Sequence, residues 1–125
     1  MKYTGQNEAS INAWKEKYDL PWMKPLTGAE FRAAARGEAL LTLTPNRKVP
    51  FSWYEDWKGK QVLGLAAGGG QQMAVLSALG AACTLLDFSE EQLTADRLVS
   101  EREGYAIKLC KGDMTERLPF ADESF

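Results

Sequence analysis

Three short stretches carry residue types that can do chemistry together. Ala66-Ala67-Gly68-Gly69-Gly70-Gln71 places three successive glycines directly behind an apolar run. Without Cβ atoms such a backbone turns sharply and lets a ligand come close. A helix starting behind it offers unpaired amides that suit a carboxylate or a phosphate. A simple tight turn accounts for the same glycines. Asp87-Phe88 follows at about the 20-residue spacing at which dinucleotide-binding folds set an acid on a ribose. A carboxylate there accepts from both ribose hydroxyls, and Phe88 is placed to lie against a base. The plainer reading makes Asp87 the start of the next helix cap, a role that Ser89 already fills. The third stretch is Gly112-Asp113-Met114. Its acid can accept from an adenine amine while the adjacent amide donates to a ring nitrogen. Alone it is a loop aspartate; its weight comes from standing third in register.

Composition removes several other chemistries. There is no histidine in the 125 residues, which excludes a Ser-His-Asp triad, a Cys-His pair and histidine-containing zinc sites within this chain. No metal site is expected. Fifteen basic against 17 acidic residues leave a net charge of -2, so nucleic acid is an unlikely partner. Cys83 and Cys110 sit in apolar runs and read as reduced, buried thiols. No apolar run approaches the roughly 20 residues of a membrane span. The opening residues lack a signal-peptide core, and a cytoplasmic location is the default expectation.

The elements that must position the three loops alternate regularly after Lys58-Gly59-Lys60. Gln61 to Leu65 reads as a strand, and 71–79 as a helix closed by Gly80. Residues 82–86 form a second strand ending at Asp87. Ser89 and Gln92 bracket a capping box, opening a helix to Glu103 that stops at Gly104; its Leu93, Arg97 and Glu101 mix an apolar face with solvated charge. Residues 106–110 make a third strand. Short, continuously apolar strands joined by helices predict a parallel sheet covered on both faces, with right-handed crossovers. This is α/β: the βαβαβ half of a doubly wound, Rossmann-like sheet.

The first 58 residues are less regular. A short helix is expected over 7–18 with Ile11 and Trp14 on one face, broken by Pro21 and Pro25. Thr27 and Glu30 form a second capping box, for a helix through Arg36 with Gly37 as its left-handed stop. Residues 40–43 read as extended and 45–50 as a loop. Trp14, Trp22, Trp53 and Trp57 read as a packing cluster, and the Trp14 and Trp22 region as a segment able to close over a ligand. The expected division is therefore 1–58, a helical lid segment, and 59–125, a partial nucleotide-binding domain.

Taken together, the three loops resemble the class I S-adenosylmethionine-dependent methyltransferases, over residues 60–125. The glycine loop, the acid ending the second strand and the Gly-Asp-Met after the third fall in that family's order. Residues 118–125 are similar to the segment before its fourth strand. The resemblance implies S-adenosylmethionine as methyl donor and S-adenosylhomocysteine as product. It sets Gly68 and Gly70 on the methionine portion, with Ala66, Gly69 and Gln71 as further cofactor-binding residues of that loop, Asp87 on the ribose, Phe88 on the adenine face, and Asp113 with Met114 on the adenine edge.

Two positions depart from the pattern. Gly64 stands where the family usually has an acid that serves the methionine amino group. Ala66 stands where it usually has glycine, a mild change if φ stays negative. A nicotinamide dinucleotide site is the competing reading; Gln71 disfavours it, because that fingerprint needs a small residue there. A non-enzymatic cofactor-binding or interaction module is a further alternative. The acceptor is unidentified, with a small molecule favoured, and no catalytic residue is named. The chain is expected to stop before the fourth strand, leaving Gln61 to Leu65 as an exposed edge through which it self-associates.

Overall fold

A computed structural model of the chain describes residues 2–18, 24–38, 41–44 and 46–125. In chain order the elements are α1 (Lys2–Lys17), α2 (Gly28–Ala35), β1 (Thr42–Thr44), β2 (Arg47–Lys48), a 3-10 turn (Phe51–Trp53), β3 (Gln61–Leu65), α3 (Gln72–Ala78), β4 (Ala82–Asp87), α4 (Glu90–Glu103) and β5 (Ile107–Lys111). Pro21, Trp22, Leu40 and Pro45, on which parts of the sequence reading fall, lie outside the described residues.

The three apolar runs pair as parallel strands in the order β3-β4-β5, with Val62 opposite Cys83 and Cys83 opposite Ile107. Side chains alternate across a strand, so Val62, Cys83, Leu85, Ile107 and Leu109 share one face. Met73, Val75 and Leu76 of α3 and Leu93 of α4 pack with Cys83 and Leu85, and Ala34 of α2 joins the same core. Cys110 points to the opposite face from Cys83, and both are free thiols, the first half-buried and the second buried.

Both faces are covered, but helices cover only one of them. Strand order advances in one direction, so two right-handed crossovers put both helices on the same side. The other face is met by the segment after β5. Leu63 lines a shallow groove with Phe120 and Phe125, and Thr84 lines a second with the same two rings. Thr84 and Leu86 are buried on that face. Phe120 and Phe125 meet edge to face at 5.2 Å. Among the described residues the outer edge of β3 pairs with no strand.

Helix ends follow their local signals. Thr27 Oγ1 accepts from the Glu30 amide at 3.2 Å while Glu30 Oε2 accepts from the Thr27 amide at 2.8 Å, a complete capping box. Gly104 ends α4 in the left-handed region. The second expected capping box is half made. Ser89 Oγ accepts from the Gln92 amide, but the Gln92 side chain turns to the Gly68 carbonyl instead of the cap.

Three N-terminal expectations also change. The first helix begins at Lys2 rather than at residue 7, because no proline interrupts it and Thr4 docks onto Asp113. The expected loop at 45–50 contains β2, which turns back to pair antiparallel with β1. Among the described residues the tryptophans form no cluster. Trp14 is 54% and Trp53 66% exposed, whereas Phe51, Tyr54 and Trp57 meet edge to face. Residues three apart eclipse in a 3-10 turn, which sends Phe51 and Tyr54 inward and leaves Trp53 outside. Buried Tyr54 also accepts from the Leu41 amide, tying the hairpin to the core.

Candidate functional site

Parallel strands end together, so the loops after β3, β4 and β5 meet along one edge of the sheet. Backbone bonds hold them in a row. The Ala66 amide donates to the Leu86 carbonyl at 2.9 Å, and the Gly112 amide donates to the Asp87 carbonyl at 3.0 Å. The three chemistry-bearing stretches are thereby brought to one place.

Asp87 is the centre of that row. Its Oδ2 accepts from the Gly68 amide at 2.9 Å and its Oδ1 from the Ser89 amide at 2.9 Å. The carboxylate therefore supports the glycine loop and helps to cap α4, a role the sequence assigned to Ser89 alone. One hydrogen bond to each oxygen leaves lone pairs for a ligand's hydroxyls. Gly68 is tied to this contact: a Cβ there would lie 2.6 Å from Gln92 Cβ and 2.7 Å from Asp87 Oδ2.

The amides of the three loop glycines are all taken within the protein. Gly69 and Gly70 are buried, with φ of +120° and +76°. Both of their amides donate to Asp96 Oδ2, at 2.9 and 3.0 Å. The Gly70 carbonyl accepts from the Leu26 amide at 2.8 Å, and the Gln71 side chain donates to the Lys24 carbonyl. Residues 24–26 thus lie against the loop from outside, while exposed Ala66 and half-buried Gly68 form its open part. Ala66 sits at φ +52°, so the condition that made this alanine a mild change is not met. Position 64 has no room for an acid as packed, because a Cβ on Gly64 would meet Met73 Sδ at 2.7 Å.

Asp96 escaped the sequence reading. It stands three residues from both Leu93 and Val99, on the buried stripe of α4, with no exposed surface. An acid inside an apolar helical stripe was the available signal. Burial pushes its carboxyl up to about 6, aided by the nearby Asp87 charge and opposed by the two glycine amides.

Phe88 is half-buried, with the Lys111 ammonium 5.9 Å from its ring centre. Lys111 also approaches Glu90 at 3.7 Å. Asp113 Oδ1 accepts from the Thr115 amide at 2.9 Å and hydroxyl at 2.6 Å, and its Oδ2 accepts from the Thr4 hydroxyl at 3.1 Å. These bonds, led by those from Thr115, hold its carboxyl below the usual range. Met114 is exposed.

Thr4 belongs to a polar stripe of α1 that crosses the loop ends. Glu8 Oε1 accepts from the Glu90 amide at 3.1 Å, and Asn12 Oδ1 accepts from the Ser89 hydroxyl at 3.4 Å. Residues four apart share a helix face, so Thr4, Glu8 and Asn12 face the loops. Of the expected Ile11 and Trp14 face, Ile11 is half-buried and Trp14 is exposed. No helix among the described residues is long and apolar enough to cross a membrane.

Comparison with known proteins agrees with the geometry. The sequence pattern of the methyltransferase domain matches residues 63–125. The chain is 42% identical over 115 residues to the uncharacterized methyltransferase YbaJ of Bacillus subtilis (strain 168), covering 90% of this chain and 45% of that protein. It is 46% identical over 67 residues to demethylmenaquinone methyltransferases of Mycobacterium sp. (strains KMS and JLS), covering 54% of this chain and 26% of theirs. The chain thus spans less than half the length of these relatives.

Proposed function

This chain belongs to the methyltransferase-domain family, and from that premise we propose that its three loops hold S-adenosylmethionine for methyl transfer to an acceptor. The observation that carries the reading is Asp87, set at the end of the middle strand with one amide bond on each oxygen and lone pairs to spare. The residues fit such a donor. Gly68 lets the loop close onto Asp87, where a Cβ would collide with Gln92 Cβ and Asp87 Oδ2.

Asp87 accepts the ribose hydroxyls. Ala66 and Gly68 present the open side of the loop to the methionine portion, and Gly69, Gly70 and Gln71 hold that loop from behind. Phe88 lies against the base, and Asp113 with Met114 borders its edge. When bound, the donor supplies an electrophilic methyl group on a sulfonium. The protein's part is to hold donor and acceptor in line, which lowers the barrier by orientation settled at binding. A small-molecule acceptor suits the net charge of -2 better than a nucleic acid does.

Calorimetric titration with S-adenosylhomocysteine tests the reading. The parent should bind with saturable heat, and Asp87→Ala should bind at least about tenfold more weakly, equal to about 1.4 kcal/mol. No heat and no thermal shift in the parent, or an unchanged affinity in the variant, would overturn it.

A further inference from the structure

We propose that Asp96 is the positioning residue of the glycine loop, fixing from behind the shape that the open side presents to the donor. The proposal rests on the donor-site reading above. A fully buried acid is costly unless its oxygens are used, and here Oδ2 receives both the Gly69 and the Gly70 amide. Those peptides are buried and turned by positive φ angles; the Gly69 amide has a second, longer bond to the Gln92 carbonyl at 3.2 Å, whereas the Gly70 amide has Asp96 as its acceptor among the described residues. Removing the acceptor orphans the buried Gly70 N–H and leaves the Gly69 N–H with only its longer bond to the Gln92 carbonyl.

The loop has little freedom to find another arrangement. A Cβ on Gly70 would meet Val99 Cγ2 at 3.0 Å and the Ala95 carbonyl at 3.1 Å, both on the same helix as Asp96. The loop is thus packed onto α4 as well as bonded to it. Just ahead, the Gly68 amide reaches Asp87. Adjacent peptides of one turn are therefore held by two carboxylates, Asp87 toward the ligand edge and Asp96 behind. Asp96 Oδ1 has no hydrogen-bond partner among the described residues, so one oxygen performs the positioning. Asparagine keeps such an oxygen and loses the charge; alanine keeps neither.

The test compares the parent chain with Asp96→Asn and Asp96→Ala, using S-adenosylhomocysteine titration and hydrogen exchange of the Gly69 and Gly70 amides. The asparagine variant should bind within about threefold of the parent with both amides protected. The alanine variant should bind at least about tenfold more weakly, with the Gly70 amide exchanging fast and the Gly69 amide less so, while the β4 amides stay protected. If alanine prevents folding, Asp96→Leu fills the same volume without an acceptor and should give the same result. Alanine or leucine variants that bind like the parent overturn the proposal, as does equal weakening of asparagine and alanine. A parent that does not bind overturns the donor-site reading instead, and exchange at Gly69 and Gly70 still decides the role of Asp96.

Discussion

The Gly68 amide donates to Asp87 Oδ2 at 2.9 Å, joining the loop after one strand to the acid that ends the next. Two features 19 residues apart in sequence become one surface, and glycine at 68 is what allows the approach. Gly68→Ala should therefore cost stability by about 1–3 kcal/mol through overpacking. It should also weaken S-adenosylhomocysteine binding by at least about tenfold, because Gln92 Cβ and Asp87 Oδ2 stand within 2.7 Å of the new methyl. Calorimetry on a variant whose melt confirms folding checks both; parental affinity would contradict the close-approach account.

Ala66 offers a change in the other direction. A left-handed alanine costs roughly 1–2 kcal/mol, part of which glycine returns as unfolded-state entropy. Ala66→Gly should stabilise the chain by up to about 1 kcal/mol, raising Tm by roughly 3–5 °C for a domain of this size. A lower Tm would show that the strain at φ +52° is not what limits this turn.

Asp96 links stability to pH in an unusual sense. Its folded value is raised from 3.8 to about 6, so the folded chain holds this proton more tightly than the unfolded one. The contribution is fully present below about pH 4 and is lost as pH rises through 6, amounting to about 3 kcal/mol at most. Asp96→Asn should remove that dependence and unfold at higher denaturant than the parent at pH 8. Denaturant titrations from pH 4 to 8 give the difference between parent and variant, in which other carboxyls cancel. A constant difference across the range would contradict the buried-carboxyl account.

The α1 latch rests on polar contacts of about 1 kcal/mol each. Thr4→Val combined with Asn12→Ala removes the bonds to Asp113 and Ser89. Amide exchange along α1 should then accelerate by about tenfold, with β4 unchanged. Equal protection in the double variant would show that the helix is held by something other than its polar stripe.

Much of the fold was legible because its signals are local. The strands at 61–65 and 82–87 follow from short apolar runs between glycines, and the Thr27 cap and the Gly104 stop follow from residues within one turn. Trp53 was misread for a related reason. Nearness in sequence suggested a cluster, whereas the 3-10 turn set Phe51 and Tyr54 inward and left it exposed.

What the sequence alone determined is the order of elements and the presence of three polar loops after three parallel strands. Periodicity and capping act over a few residues, and parallel strands bring their ends together whatever else happens. Tertiary structure decided how the loops are used. Gly69 and Gly70 give their amides to Asp96 rather than to a ligand, Gln92 leaves its cap for the Gly68 carbonyl, and α1 reaches the loops through Thr4, Glu8 and Asn12. Each of those choices depends on side chains arriving from more than 20 residues away. Hydrogen-bond satisfaction in a buried space is settled there, not within any local window.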